Sequence, residues 1–165
     1  MASRFKKAIL AMVPLITIDW VAKFIVFLGY KSWKGAAHVK LYSYSLGLFS
    51  FSIYPTFNEG AAFNFFANYK NFLLVFRLCI ILGILSYLFF KNSSTPLTRF
   101  ALILLCSGAI GNVGDIFFYG HVIDFVALSY RNWAFPTFNL ADVFISLGTI
   151  LLVYKLYFPK QQKTK

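Results

Sequence analysis

The chain has 165 residues, of which 59% are apolar and 21% aromatic, and its mean hydropathy is +0.70. A soluble domain of this size has no interior large enough to hide so much apolar side chain, so the solvent for its exterior is lipid. The formal charge of +11 would suit a nucleic-acid binder, but the basic residues stand at the ends of apolar runs. That pattern belongs to membrane helices and argues against nucleic acid.

Residues 8–28 form an apolar run long enough to cross a hydrocarbon core of roughly 30 Å. Arg4, Lys6 and Lys7 precede it, as in a secretory signal. The run is too long for a signal core, Asp19 and Lys23 interrupt it, and no small-x-small cleavage site follows. It is expected to be a retained first helix with its N-terminus inside. Asp19 and Lys23 are four apart, share a face and can pair. A structural ion pair and a direct substrate role are both open for them.

Between residues 39 and 53 the period changes to two. Tyr42, Tyr44 and Leu46 alternate with Ser43 and Ser45, and Phe49, Phe51 and Ile53 with Ser50 and Ser52. A short antiparallel sheet with one apolar face is predicted at the outer membrane surface, with Gly47 as its turn point. Phe57-Asn58-Glu59-Gly60-Ala61-Ala62-Phe63 reads as a small-residue turn. Residues 61–69 could follow as a short interfacial helix anchored by Phe63, Phe65 and Phe66, so the outer segment covers about 39–70.

Residues 72–90 make the second span, with Arg77 placed to snorkel outward. The short connection 91–96 makes the second and third helices antiparallel neighbours. Residues 100–118 make the third span, in which Gly108, Gly111 and Gly114 allow close helix approach and Asn112 shares a face with Asp115. Residues 119–137 are read as an outer loop containing Asp124, with Gly120 ending the third helix. Trp20, Trp33 and Trp133 suit the headgroup level. Residues 138–157 make the fourth span, with Asn139 and Asp142 in its first turn or two. Cys79 and Cys106 lie in apolar runs without metal-ligand spacing and read as small buried hydrophobes.

Four spans put both ends inside. The inner flanks then hold nine Lys and Arg against five in the outer loops, which supports that orientation. The expected fold is an all-α membrane protein of one domain, residues 1–165, with four transmembrane helices and a small extracytoplasmic antiparallel β-subdomain. The chain has only five acids: Asp19, Glu59, Asp115, Asp124 and Asp142. An ionisable group within a membrane segment is costly and is a functional candidate by default. The topology gathers Asn58, Asn112, Asp115, Asp124, Asn139 and Asp142 near the outer face. Two carboxylates at close range share a proton, and such a pair can act as base and acid on one water. His38 and His121 have no matching nucleophile motif, and no metal cage is visible.

These residues carry a resemblance. Asp19 with Lys23, Asn58-Glu59-Gly60-Ala61-Ala62-Phe63, Gly108-Ala109-Ile110-Gly111-Asn112 with Asp115, Gly120 with Val122-Ile123-Asp124-Phe125, and Trp133 through Asp142 lie in the order found in the lipoprotein signal peptidases. The chain resembles this family, also called signal peptidase II, of aspartic peptidases in the bacterial inner membrane. The resemblance implies four transmembrane helices, a small outer sheet, and a substrate that is a lipid-modified prolipoprotein cleaved just before its modified Cys. It implies Asp124 and Asp142 as the catalytic pair. By the same resemblance Asn58, Asn112 and Asn139 would line the pocket and hold substrate backbone or the pair. Gly60, Asp19 and Lys23 are grouped with them as substrate contacts or support for the pair, while Asp115 is read as bracing the third helix and Gly108 and Gly111 as structural. The implied partners are the prolipoprotein signal peptide and membrane lipid, with no cofactor and a monomeric chain. Two positions depart from the family pattern. Ile116 stands where an Arg usually follows the Asp of Asn-x-x-Asp, and Ala22 replaces a hydroxyl residue before Lys23. A small ion transporter using intramembrane acids is the alternative, and a non-catalytic scaffold a third. Acids clustered at one side weigh against transport.

Overall fold

The computed structural model describes residues 2–32, 40–60, 67–91 and 95–158. Trp33, His38, the Ala61–Phe66 stretch with its aromatic anchors, and the basic residues from Lys160 onward lie outside them. The elements in order are α1 (Ala2–Ser32), β1 (Tyr42–Leu46), β2 (Phe49–Asn58), α2 (Lys70–Phe90), α3 (Pro96–Tyr119), β3 (Val122–Tyr130), β4 (Trp133–Ala134) and α4 (Leu140–Tyr157). A single 3₁₀ turn, Ala67–Tyr69, leads into α2.

All four helices are long and apolar enough to cross a membrane. Their starts and stops have local causes. Pro96 opens α3, where its missing N–H costs nothing, and the Thr95 hydroxyl accepts from the Thr98 amide. Gly120 closes α3 at φ 80°, a conformation that a side chain would resist. Asn139 and Asp142 form a reciprocal capping box at the start of α4.

α3 is the inner helix. More than half of its span is enclosed, 56%, against 22% or less for the others, and it packs on α1, α2 and α4. Its glycines explain how. A Cβ on Gly108 would collide with the Ala141 carbonyl oxygen and Ile145, so α3 and α4 can approach only with glycine there. Large apolar side chains such as Leu10, Ile25, Val75, Leu82 and Ile150 stay exposed on α1, α2 and α4, which is the lipid-facing surface the hydropathy predicts. Trp20 lies against Gly114 and donates to the Gly111 carbonyl at 3.1 Å.

The sheet has the order β1-β2-β3-β4, antiparallel throughout. Gly47, at φ 59°, turns β1 into β2 as its position predicted. The segment 119–137 is not a loop: it supplies β3 and β4. The start of β3, Val122 through Phe125, is buried on both faces, so it reads as a continuous apolar run and gives no alternation signal. Thr56 pairs with Asp124 after a register shift between Ile53 and Thr56. The sheet thus caps the end of the bundle where α1 and α3 finish and α2 and α4 begin.

Candidate active site

Asp124 sits in β3 and Asp142 three residues after the cap of α4, and one residue holds both. The Asn139 side-chain amide donates to Asp124 Oδ1 at 2.7 Å, and the Asn139 backbone N–H donates to Asp142 Oδ2 at 3.1 Å. Asn139 is fully buried. Its side-chain oxygen accepts from the Asp142 backbone N–H at 2.9 Å, which turns its NH₂ toward Asp124. The same NH₂ lies 3.0 Å from Asn112 Oδ1 and 3.3 Å from the Ile123 carbonyl.

Two further amides complete the grip. Asn58, at the end of β2, donates to Asp124 Oδ2 at 3.1 Å, while its own oxygen accepts from the Gly60 N–H at 3.0 Å. Asn112 of α3 donates to Asp142 Oδ1 at 2.9 Å. Each of the four carboxylate oxygens therefore receives a neutral N–H donor. Burial, followed by the charge of Asp142, pushes the Asp124 carboxyl up to about 7; the amides and Lys23 pull the other way.

Behind this pair is a buried ion cluster. Lys23 Nζ lies 2.7 Å from Asp19 Oδ2, 2.7 Å from Asp115 Oδ2 and 3.0 Å from Asn112 Oδ1. Asp19 Oδ1 accepts from the Ala141 backbone N–H at 2.9 Å, tying α1 to the first turn of α4. Asp115 Oδ2 accepts from the Ile123 N–H at 3.2 Å, which fixes the entry into β3. Gly111 lies against Asp19, where a Cβ would come within 2.6 Å of Asp19 Oδ2.

Asn58, Asn112, Asp124 and Asp142 line a cavity of about 480 Å³ whose remaining wall is largely apolar, including Val122, Phe138, Val143 and Leu147. Asp19, Lys23, Asp115 and Asn139 are not on its wall; they act on it through other residues. Gly60 touches the site through its backbone. One wall residue was misplaced by the sequence reading. Arg77 does not snorkel outward but lines the cavity and donates to the Gly60 carbonyl at 2.8 Å. The available signal was its position, a lone cation within an apolar span. Lys23 is occupied by three acceptors, and Arg131 sits in the β3–β4 turn over the Tyr130 ring. Among the described residues no group of His, Cys, Asp and Glu is placed to hold a metal ion.

A four-helix membrane bundle with two amide-held carboxylates on one largely apolar cavity is the architecture of an aspartic-type enzyme working within the membrane. The family described as signal peptidase (SPase) II matches residues 11–158. The chain is 58% identical to the lipoprotein signal peptidase of Chlamydia pneumoniae, over all of this chain and 99% of that one. It is 52% identical to that of Chlamydia trachomatis serovar D, over 99% and 98% of the two chains. The chain belongs to the signal peptidase II family and is an aspartic-type peptidase of lipoprotein processing. Its fold is that of a solved bacterial membrane enzyme at 2.3 Å resolution, with a TM-score of 0.75, 24% identity, and coverage of 97% of this chain and 93% of that one.

Proposed function

We propose that Asp124 and Asp142 form a catalytic dyad that removes the signal peptide from lipid-modified prolipoproteins, cutting just before the modified Cys. The observation that carries this reading is the shared tether: Asn139 holds one carboxylate with its side chain and the other with its backbone. Burial and the neighbouring carboxylate raise the Asp124 carboxyl to about 7, so near neutral pH the pair holds a shared proton, and the steps below start with that proton on Asp124.

The steps follow from that distribution. Asp142 takes a proton from water as its oxygen attacks the scissile carbonyl carbon. Asp124 gives its proton to the carbonyl oxygen, so a neutral gem-diol forms rather than an oxyanion. Asp142 then passes the captured proton to the departing nitrogen. One gem-diol hydroxyl returns a proton to Asp124 as the C–N bond breaks and the acid product forms. Both carboxyls regain their starting states, and one water has been consumed.

The apolar wall of the cavity suits the hydrophobic segment of a signal peptide. The remaining supports concern placement. The bundle end with the sheet carries the site, while Arg4, Lys6, Lys7, Lys91, Arg99 and Lys155 stand toward the other end, which favours both termini on the cytoplasmic side and the site near the extracytoplasmic face. The proposed dyad, its three asparagines and the cavity wall are all supplied by one copy of the chain, so the site requires no second copy. Asp124→Asn and Asp142→Asn are each expected to abolish cleavage of a diacylglyceryl-modified precursor peptide by the purified enzyme in detergent, with helical circular dichroism retained. Near-normal turnover by either variant sinks the dyad.

A further inference from the structure

Arg77 is a guanidinium within a membrane-spanning helix, where an uncompensated charge is costly. Among the described residues its side chain makes one hydrogen bond, from Nη2 to the Gly60 carbonyl, which leaves four of its five N–H donors for other acceptors. Among the described residues no carboxylate lies within ion-pair distance of it; the two ion pairs present both belong to Lys23. It borders two cavities. One is the 480 Å³ cavity of Asp124 and Asp142; the other, about 210 Å³, is lined by Asn58, Glu59, Lys70, Ile116 and His121 among others, with Glu59 beyond ion-pair distance of Arg77. Ile116 is the residue of α3 on the wall of the smaller cavity, so α3 brings no second guanidinium to this place.

We propose that Arg77 is a substrate-binding residue that receives carbonyl oxygens of the lipidated peptide beside the scissile bond, and this inference rests on the peptidase reading. Charge complementarity selects the ligand. Asp124 and Asp142 share the cavity and repel phosphate or carboxylate groups, while a neutral carbonyl oxygen meets no such repulsion and accepts a forked pair of N–H bonds. The Gly60 carbonyl already accepts from one edge of the guanidinium. That contact anchors the guanidinium at the cavity wall, which Arg77 lines together with Asp124 and Asp142.

A purely structural role is the competing account, because Arg77 also touches the chain Gly60–Asn58–Asp124. The two accounts differ in kinetics. A substrate contact made equally in ground and transition states moves KM, whereas a disturbed Asp124 moves kcat and its pH dependence. The test is steady-state cleavage of a diacylglyceryl-modified precursor peptide by full-length Arg77→Gln enzyme in detergent. KM is expected to rise by roughly 10–100-fold, the range of a lost charged hydrogen bond. The guanidinium charge also acts on Asp142 and Asp124, so the kcat–pH profile is compared in Arg77→Lys, which keeps that charge and is expected to retain its shape. Arg77→Lys keeps the charge but not the fork, and gives a smaller rise in the same direction if the Gln variant fails to fold. A substrate whose glyceryl chains are ether-linked identifies the carbonyl. A KM effect that persists assigns peptide carbonyls, and one that vanishes assigns the lipid esters. Wild-type KM in both Arg77 variants, or a shifted kcat–pH profile at constant KM, overturns the inference. Asp124→Asn serves as control. If it is inactive while Arg77→Gln behaves as wild type, only the Arg77 assignment fails; if Asp124→Asn keeps turnover, the dyad reading fails first.

Discussion

Replacing Lys23 by methionine isolates the worth of the buried cation. The two side chains have similar length and volume, so the methionine fills the stem's place and no large cavity opens. What disappears is an ammonium 2.7 Å from each of two carboxylates, with Lys23, Asp19 and Asp115 all about 1% exposed. Removing one member of a buried ion pair leaves an uncompensated charge and costs about 3–5 kcal/mol. In a chain of this length each kcal/mol lowers the thermal midpoint by about 2–4 °C, so Lys23→Met is expected to fall by roughly 6–20 °C.

The cost should shrink when the stranded charge is also removed. Asp115→Asn keeps an acceptor for the Ile123 N–H, so added to Lys23→Met it restores part of the loss, although alone in the wild type it destabilises. The assay is thermal unfolding of the four proteins of this cycle in one detergent, followed by circular dichroism. A coupling of roughly 1–3 kcal/mol is expected for groups in direct contact. If the two substitutions simply add, the cluster is not held by charge and the reasoning fails.

Two further outcomes follow from the same geometry. The Asp124 carboxyl is raised from 3.8 to about 7, so folding favours its protonated form. Its contribution to stability is complete below about pH 4 and is lost as pH rises through 7. The stability gap between wild type and Asp124→Asn should therefore shift against the wild type between pH 5 and pH 8, and kcat should decline above about pH 7; a flat kcat from pH 6 to 9 contradicts the assignment of the proton to Asp124. Gly108→Ala places a methyl against the Ala141 carbonyl, which must move α3 and α4 apart at a cost of about 1–3 kcal/mol. Asp142 follows Ala141 directly, so peptidase activity should fall with stability, and an unchanged thermal midpoint would count against the packing argument.

How much of this was readable beforehand depended on the range of the interaction. The four spans were legible because each is a long apolar run, and the ends moved by only a few residues where caps such as Thr95 decided them. The first hairpin was legible because Ser alternates with aromatic and aliphatic residues along each strand, which sets the Ser on one face and the apolar residues on the other. β3 was not, because its first half is enclosed on both faces and looks like any apolar connector. Arg77 was misread for a related reason. Near a helix end a cation has solvent as its default destination, and only the packing of α2 beside Gly60 redirects it. The Asn and Asp residues were recognisable as a set, but their pairing was not. Asn112 meets Lys23 and Asp142, which are 89 and 30 positions away, and no local pattern encodes such contacts.

The three asparagines also answer a question that residue identity leaves open. A carboxamide offers an acceptor on one side and donors on the other, and its orientation is set by whichever neighbour has no choice. Lys23 can only donate, so it claims the oxygen of Asn112 and points that NH₂ at Asp142. Backbone N–H groups can only donate, so Asp142 and Gly60 claim the oxygens of Asn139 and Asn58 and point both NH₂ groups at Asp124. All three amides thus converge as neutral donors on the proposed dyad. Among the described residues no ion pair joins a cation to Asp124 or Asp142. That separation matters. A lysine in direct contact would hold both carboxylates ionised and leave no proton to share. Relayed through amides, the same cation fixes geometry while the low-dielectric surroundings keep one proton on the pair. On the proposed dyad reading, the place of Lys23 one residue removed from the carboxylates serves the acid–base chemistry as well as the fold.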